Sequence, residues 1–352
     1  MIVSAFITHK EAERFSDCQD RFSINPDTKS IALSDGMSQS IFQKYWAEIL
    51  VDTFTSNPRW EPNQDSIKEL SPIWRAKVDE YIELQKKEGK STWRAEKSLI
   101  EGLSACATFV GVRFNGYDWK CNVLGDSCLI AVNDNQIQEI YSSQDNQSFD
   151  NFPDYFDSNS QKKGKGYVHS FEGTLKPGDA LLLVSDPFSD FILRNRNTPA
   201  ETILINRLLG VNSHKEFEEV VNDWRLQGMH NDDSTLIIIQ PGNGDTFTLT
   251  EVDSICELIK TEKENLSINN FELSSPKIID KFDSSQDGKS VGTPIIVDNY
   301  KTNSLKELSE NVIREICIIL RPKLKSKYKK RVEDICTEII NKIRNSNNEQ
   351  CQ

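Results

Sequence analysis

The sequence predicts an α+β fold in layers of antiparallel sheet and helix. Two observations carry the prediction. Hairpin-connected apolar runs, such as Thr108–Phe114 and Trp119–Leu124 around Asn115-Gly116, are separated by segments of helical periodicity. Neither the G-x-G-x-x-G nor the G-x-x-x-x-G-K-[ST] fingerprint of parallel nucleotide-binding folds occurs in the 352 residues.

In chain order, Ile2–Thr8 and Arg21–Ile24 are short apolar or alternating runs expected to pair with Ser30–Ser34. Ser38 or Ser40 is placed to cap a helix in which Ile41, Phe42, Tyr45, Trp46, Ile49, Leu50 and Phe54 recur at helical spacing. Helical patterns cover Asp65–Lys87 and Thr92–Leu103. After the first hairpin, Cys128–Val132 and Ile137–Tyr141 form a second pair around Asn133–Asn135. Ser142–Gly166 is polar and reads as a surface loop. The turn Lys176–Asp179 feeds a buried strand at Ala180–Val184. Helical segments at Phe188–Arg194, Ala200–Leu209 and Lys215–Arg225 precede a last strand at Ser234–Ile239.

Composition then changes. Residues 1–241 read as one domain, and 242–304 as a polar linker with room for a short helix near Glu251–Lys263. Residues 305–346 carry two amphipathic helical stripes broken at Pro322. The net charge of −12 argues against nucleic acid or an anionic membrane as the main partner. Nothing near the N-terminus resembles a signal peptide and no apolar run reaches transmembrane length, so a cytoplasmic location is expected. The eight cysteines are scattered without a CxxC pair, the pattern of free thiols rather than of disulfides or a zinc site.

Four acidic turns abut strand-like runs: Asp35-Gly36, Gly125-Asp126-Ser127, Ser185-Asp186 and Asn231-Asp232-Asp233. Carboxylates at strand ends suit hard divalent cations, which prefer oxygen ligands. Four such turns can furnish a two-metal centre for displacement at phosphorus, which requires no Ser, Cys or His nucleophile.

On these residues the chain resembles the metal-dependent serine/threonine protein phosphatases of type 2C, the PPM class, and its bacterial branch in particular. The resemblance runs over Met1–Gln240. It rests on His9 with Cys18-Gln-Asp20, Ala32-Leu-Ser-Asp-Gly36, Ala105–Val110 with Val123-Leu-Gly-Asp-Ser127, Leu175–Asp186, and Met229–Leu236, in that order. It implies a four-layer α-β-β-α sandwich of two antiparallel sheets with Mn²⁺ or Mg²⁺ at one end. Carried over, Asp35 bridges two metals and Gly36 adds its carbonyl oxygen. Asp186 and Asp232 hold the first ion, and Asp20 supports the second. Asp126 matches a third, looser position, and Asp233 is the less favoured member of its pair. The implied partner is a phosphorylated protein, with a cognate serine/threonine kinase as a further candidate.

Three departures stand out. Pro187 replaces the usual glycine after Asp186. Met37-Ser38-Gln39 lacks the histidine that some members use to protonate the leaving group. For the phosphate-gripping cation, Arg14 is nearest to the expected spacing. Two other readings stay open: a non-catalytic module binding a phosphoprotein or kinase, and a phosphatase for a small phosphorylated metabolite.

Overall fold

The computed structural model describes residues 1–143, 153–242 and 246–274; the helical segment expected at 305–346 lies outside them. Strands β1 (Ile2–Thr8), β2 (Arg21–Asn25) and β3 (Ser30–Ser34) lead to helices α1 (Gln43–Ser56), α2 (Ser71–Lys87) and α3 (Trp93–Ile100). Then come β4 (Cys106–Ala107), β5 (Phe109–Asn115), β6 (Asp118–Leu124), β7 (Cys128–Asn133), β8 (Gln136–Tyr141), β9 (Phe156–Asp157), β10 (His169–Thr174) and β11 (Asp179–Val184). Helices α4 (Asp186–Asn195), α5 (Pro199–Leu209) and α6 (His214–Leu226) precede β12 (Ser234–Gln240), β13 (Thr248–Val252) and α7 (Ile255–Ser274).

Two sheets dominate, ordered β13-β1-β12-β11-β7-β8 and β10-β6-β5-β3-β2, with β4 and β9 as a small pair. The side-chain period of two sorts each central strand between two cores. On β11, Leu181 and Leu183 meet the other sheet's Ile31, Leu33, Val110 and Val112. Ala180, Leu182 and Val184 face the opposite way, onto Phe188, Leu204, Phe217 and Trp224 of α4–α6. The second sheet turns Ala32 and Phe109 outward, onto Trp46, Leu50 and Phe54 of α1 and Trp74 and Val78 of α2. Burial on both faces explains why these strands read as near-continuous apolar runs. Three cores between four layers make the α-β-β-α sandwich.

The helices follow their stripes. α6 buries Phe217, Val220, Val221 and Trp224, and Ser213 caps it by accepting the Glu216 N–H. α5 starts with Pro199 behind the Thr198 cap. α1 departs from expectation, because neither Ser38 nor Ser40 caps it. It begins after Phe42, held at φ 52° without a side-chain cap. Ser40 Oγ instead accepts the Cys106 N–H (3.0 Å) and donates to the Met37 carbonyl (2.9 Å), pinning the turn after β3 to β4. The Asp65–Lys87 pattern divides into a 3₁₀ turn at Ser66–Leu70 and α2, where Pro72 sits in the first turn.

Three further differences concern edges. Phe156, in the stretch read as a surface loop, is fully buried, and its carbonyl accepts the Trp46 Nε1–H at 3.1 Å. β10 and β13 have no sequence-level counterpart because edge strands carry polar side chains and little apolar period. β13 lies inside the stretch read as linker and pairs parallel with β1, so the larger sheet is not purely antiparallel.

Asp253, just after β13, fixes that edge. Its Oδ2 accepts the Ile7 N–H (2.9 Å) and stands 2.8 Å from His214 Nδ1. Burial alone would lower the His214 pKa, but hydrogen bonds to Asp253 and Glu218 outweigh it and raise it to about 9. A raised histidine pKa stabilises the fold fully below the unfolded value of about 6.5, and that contribution is lost as pH rises through about 9. His214→Gln should therefore show a flatter melting-temperature profile than wild type between pH 6.5 and 9. Parallel profiles would exclude this coupling.

Candidate functional site

The acidic turns gather at one end of the sandwich because of strand register. β2 and β3 pair Arg21 with Ser34 at their ends, which leaves Asp20 just before β2 and Asp35 just after β3, within electrostatic reach of each other. β7 and β11 end on the Cys128–Val184 pair, beyond which Asp126 lies in the turn before β7 and Asp186 opens α4, within electrostatic reach of each other. β1 and β12 end on the Thr8–Ser234 pair, and just beyond it the Lys10 ammonium meets Asp232 at 2.9 Å. The register of the three ladders brings these strand ends to one end of the sandwich, and the turns just beyond them carry the charged residues.

The Asp35 turn is locked from behind. Its N–H donates to Thr108 Oγ1 (3.3 Å), its carbonyl accepts the Thr108 N–H (2.9 Å), and Ser34 Oγ donates to the Thr108 carbonyl (2.6 Å). Thr108 Oγ1 also lies 2.8 Å from Ser127 Oγ, tying this turn to the one bearing Asp126. Gly36 is required by close approach, since a Cβ there would meet Gln43 at 2.9 Å. Gly125 has φ +104°, and a Cβ would meet Thr108 at 2.7 Å.

Asp20 is fully buried, with Oδ2 accepting from Thr235 Oγ1 at 2.6 Å. Asp126 is nearly so, and its carbonyl accepts from Ser189 Oγ at 2.7 Å. Asp186 opens α4, with Pro187 in the first turn, where a missing N–H costs nothing. Asp232 Oδ1 accepts the Asp233 N–H (2.8 Å) and the Lys10 ammonium (2.9 Å). Asp233 is buried, and its two oxygens accept the Lys10 and Gln19 N–H groups at 3.0 and 2.7 Å. It braces the loop, whereas Asp232 keeps part of its carboxylate exposed.

Like charges crowd together here. Burial foremost, then Asp233, push Asp20 up to about 7. Burial, then Asp20, Asp186, Asp126 and Asp232, hold Asp35 well above the usual carboxylate range. Asp186 is raised in the same way by burial and then by Asp126 and Asp232. Asp126 rises to about 6, again mainly through burial. Oδ1 of Asp20 and Oδ1 of Asp126 are buried without a hydrogen-bond partner. Orphaned carboxylate oxygens among mutually repelling carboxylates form a donor set of the kind hard divalent cations take. Among the described residues, no three His, Cys, Asp or Glu side chains stand together closely enough to hold an ion as they are.

Arg14 is exposed on the loop before Cys18 and lines a neighbouring cleft with Asp17 and Gln19. The cation inside the cluster is Lys10, which sequence reasoning passed over. Its Nζ also bonds Ser38 Oγ at 3.1 Å, and among the described residues it alone forms an ion pair with this carboxylate set. Only the β1–β12 register could have singled it out. Burial lowers the Lys10 pKa, but Asp232 and Asp233 outweigh it, so the ammonium is retained.

The family profile described as Protein phosphatase 2C matches residues 10–224. No curated protein matches the chain. Among solved structures, PppA, a key regulatory component of T6SS in Pseudomonas aeruginosa, is 16% identical. The match covers 68% of this chain and 96% of that one, with a TM-score of 0.42. The Mycobacterium tuberculosis serine/threonine phosphatase PstP/Ppp is 15% identical over 67% and 96% of the two chains, with a TM-score of 0.40. The S. agalactiae serine/threonine phosphatase is 13% identical over 68% and 99%, with a TM-score of 0.42.

Proposed function

The chain belongs to the protein phosphatase 2C family, and on that footing we propose that it hydrolyses phosphoserine or phosphothreonine in proteins with the help of Mn²⁺ or Mg²⁺. The observation that carries this reading is the register-set acidic cluster, with buried oxygens of Asp20 and Asp126 lacking partners. Asp35, Asp186 and Asp232, with the Gly36 carbonyl, would hold one ion. Asp35 would be shared with a second ion supported by Asp20, and Asp126 would serve a third, looser position. When bound, such ions supply Lewis acidity for attack of water on phosphorus.

The chain's own groups do the rest. Thr108 and Ser127 hold the Asp35 and Asp126 turns in place. Asp233 fastens the Lys10 and Gln19 backbone. His9 is committed elsewhere, with Nδ1 2.7 Å from the Lys10 carbonyl and Nε2 3.8 Å from Glu262. On this reading solvent protonates the leaving alkoxide. The deciding assay is phosphate release from a phosphothreonine peptide in Mn²⁺, silenced by chelator. Folded, metal-loaded protein without turnover on peptides or small phosphoesters would rule the reading out.

Lys10 favours a second reading, a non-catalytic phosphoprotein-binding module, because an ammonium already neutralises Asp232. The enzyme reading makes that ammonium a competitor of the metal. Lys10→Met is then expected to bind Mn²⁺ more tightly in calorimetry and to melt lower than wild type when metal-free. Weaker Mn²⁺ binding would mean that Lys10 helps to build the site.

A further inference from the structure

A cavity of about 460 Å³ lies beside the acidic cluster, lined by Arg14, Gln19, Phe42, Lys44, Tyr45 and Tyr81 among others. We propose that it is a subsite for an aromatic or large apolar side chain flanking the phosphorylated residue of a peptide substrate, an inference that rests on the phosphatase reading above.

The cavity and the cluster share two walls. Gln19 sits between Cys18 and Asp20, and its N–H donates to Asp233 at 2.7 Å. Gln43, the first residue of α1, packs against Gly36, next to Asp35. A peptide whose phosphate reaches the cluster would therefore lay a neighbouring residue along these walls.

The lining sets the chemistry of the occupant. Phe42 and Tyr45 lie nearly parallel with centroids 6.2 Å apart, and Tyr81 meets them at 5.5 and 6.0 Å, largely edge-on. All three are half-buried, packed in part on the α1–α2 core, and the Lys44 and Lys77 ammonium groups stand 5.6 and 5.5 Å from the Tyr45 ring centroid. Aromatic rings favour another ring or a branched apolar chain packed on a face or edge. Phe42 is presented from the left-handed region at φ 52°, ψ 32°, an uncommon conformation for a bulky residue and one that clusters at ligand-binding sites. The charged lining is balanced, Arg14 and Lys44 against Glu13 and Asp17, with Lys44 Nζ tethered to the Ser16 carbonyl at 2.8 Å. Such a rim suits the alternating N–H and C=O groups of an extended peptide better than a polyanion. The volume falls within the roughly 300–1,000 Å³ usual for ligand sites.

The test compares two phosphothreonine peptides, one with Phe on each side of the phosphorylated residue and one with Gly. Wild type in Mn²⁺ is expected to favour the Phe peptide by about tenfold in kcat/KM, carried by KM, the discrimination one filled apolar pocket supplies. Tyr45→Ala should bring the ratio near one, and Tyr45→Leu, which retains apolar volume, should keep part of it. If Tyr45→Ala does not fold, Tyr45→Leu and Tyr81→Leu carry the comparison. A wild-type ratio of one, or a ratio unchanged in the variants, overturns the subsite. Absence of turnover on both peptides counts against the phosphatase reading instead. Fluorescence anisotropy of the same peptides, labelled, then decides the subsite separately: Phe-selective binding sustains it and equal affinities overturn it.

Discussion

Asp35→Asn is expected to lower turnover by at least about 10²–10³-fold, the cost of removing a main electrostatic stabiliser, while raising the melting temperature of metal-free protein. The two effects share one cause. Without cations the Asp35 charge is opposed first by burial, then by Asp20, Asp186, Asp126 and Asp232. An amide keeps the shape and removes the repulsion. Because the native pKa is raised, wild type loses stability as pH climbs above the unfolded carboxylate range near about 4. The advantage of Asp35→Asn should therefore grow with pH. With Mn²⁺ present the order should invert, since stabilisation by a ligand depends on its affinity for the native state. Asp126→Asn, at the proposed looser position, should lose less metal-induced stabilisation. Phosphate release and thermal melts with and without chelator read all of this. An Asp35→Asn protein as active as wild type removes Asp35 from the centre, and one that melts lower when metal-free removes the electrostatic account.

The second large effect concerns the domain's end. Met1–Pro276 forms one compact unit, and we propose that it folds alone while Met1–Gly242 folds poorly. Cutting at Gly242 removes β13 and with it the bonds from Thr248 N–H to the Met1 carbonyl (2.8 Å) and from Asp253 N–H to the Ala5 carbonyl (2.9 Å). It also strips the Asp253 carboxylate from the Ile7 N–H and His214, and Phe247 from Phe114. At about 0.5–1.5 kcal/mol net per hydrogen bond, these losses reach several kcal/mol of a total near 5–15 kcal/mol. The shorter chain should melt roughly 6–12 °C below the longer one, at about 2–4 °C per kcal/mol. Coincident melts would show that β13 contributes nothing.

Much of this protein is legible along the chain. The central strands and the helices of both outer layers follow from local period, because burial on two faces makes a strand uniformly apolar and burial on one face gives a helix its stripe. The acidic turns stand out as a set: one aspartate at a strand end is an ordinary turn residue, but four abutting apolar runs point to a shared ligand. What only the tertiary structure decided is which residues face one another. Strand register brings the ends that carry Asp20, Asp35, Asp126, Asp186 and Asp232 together, and only the fold shows the Lys10 ammonium against Asp232, a property of pairs distant in sequence. Arg14 and Lys10 illustrate the limit: spacing along the chain put Arg14 forward, whereas the ion pair of Lys10 with Asp232 is visible only in the fold. The edge strands β10 and β13 were hidden for the same reason. Their largely polar side chains carry little apolar period, and backbone pairing with β6 and β1, with side-chain bonds such as Asn122–Ser170 and Ser4–Thr250, holds them as strands.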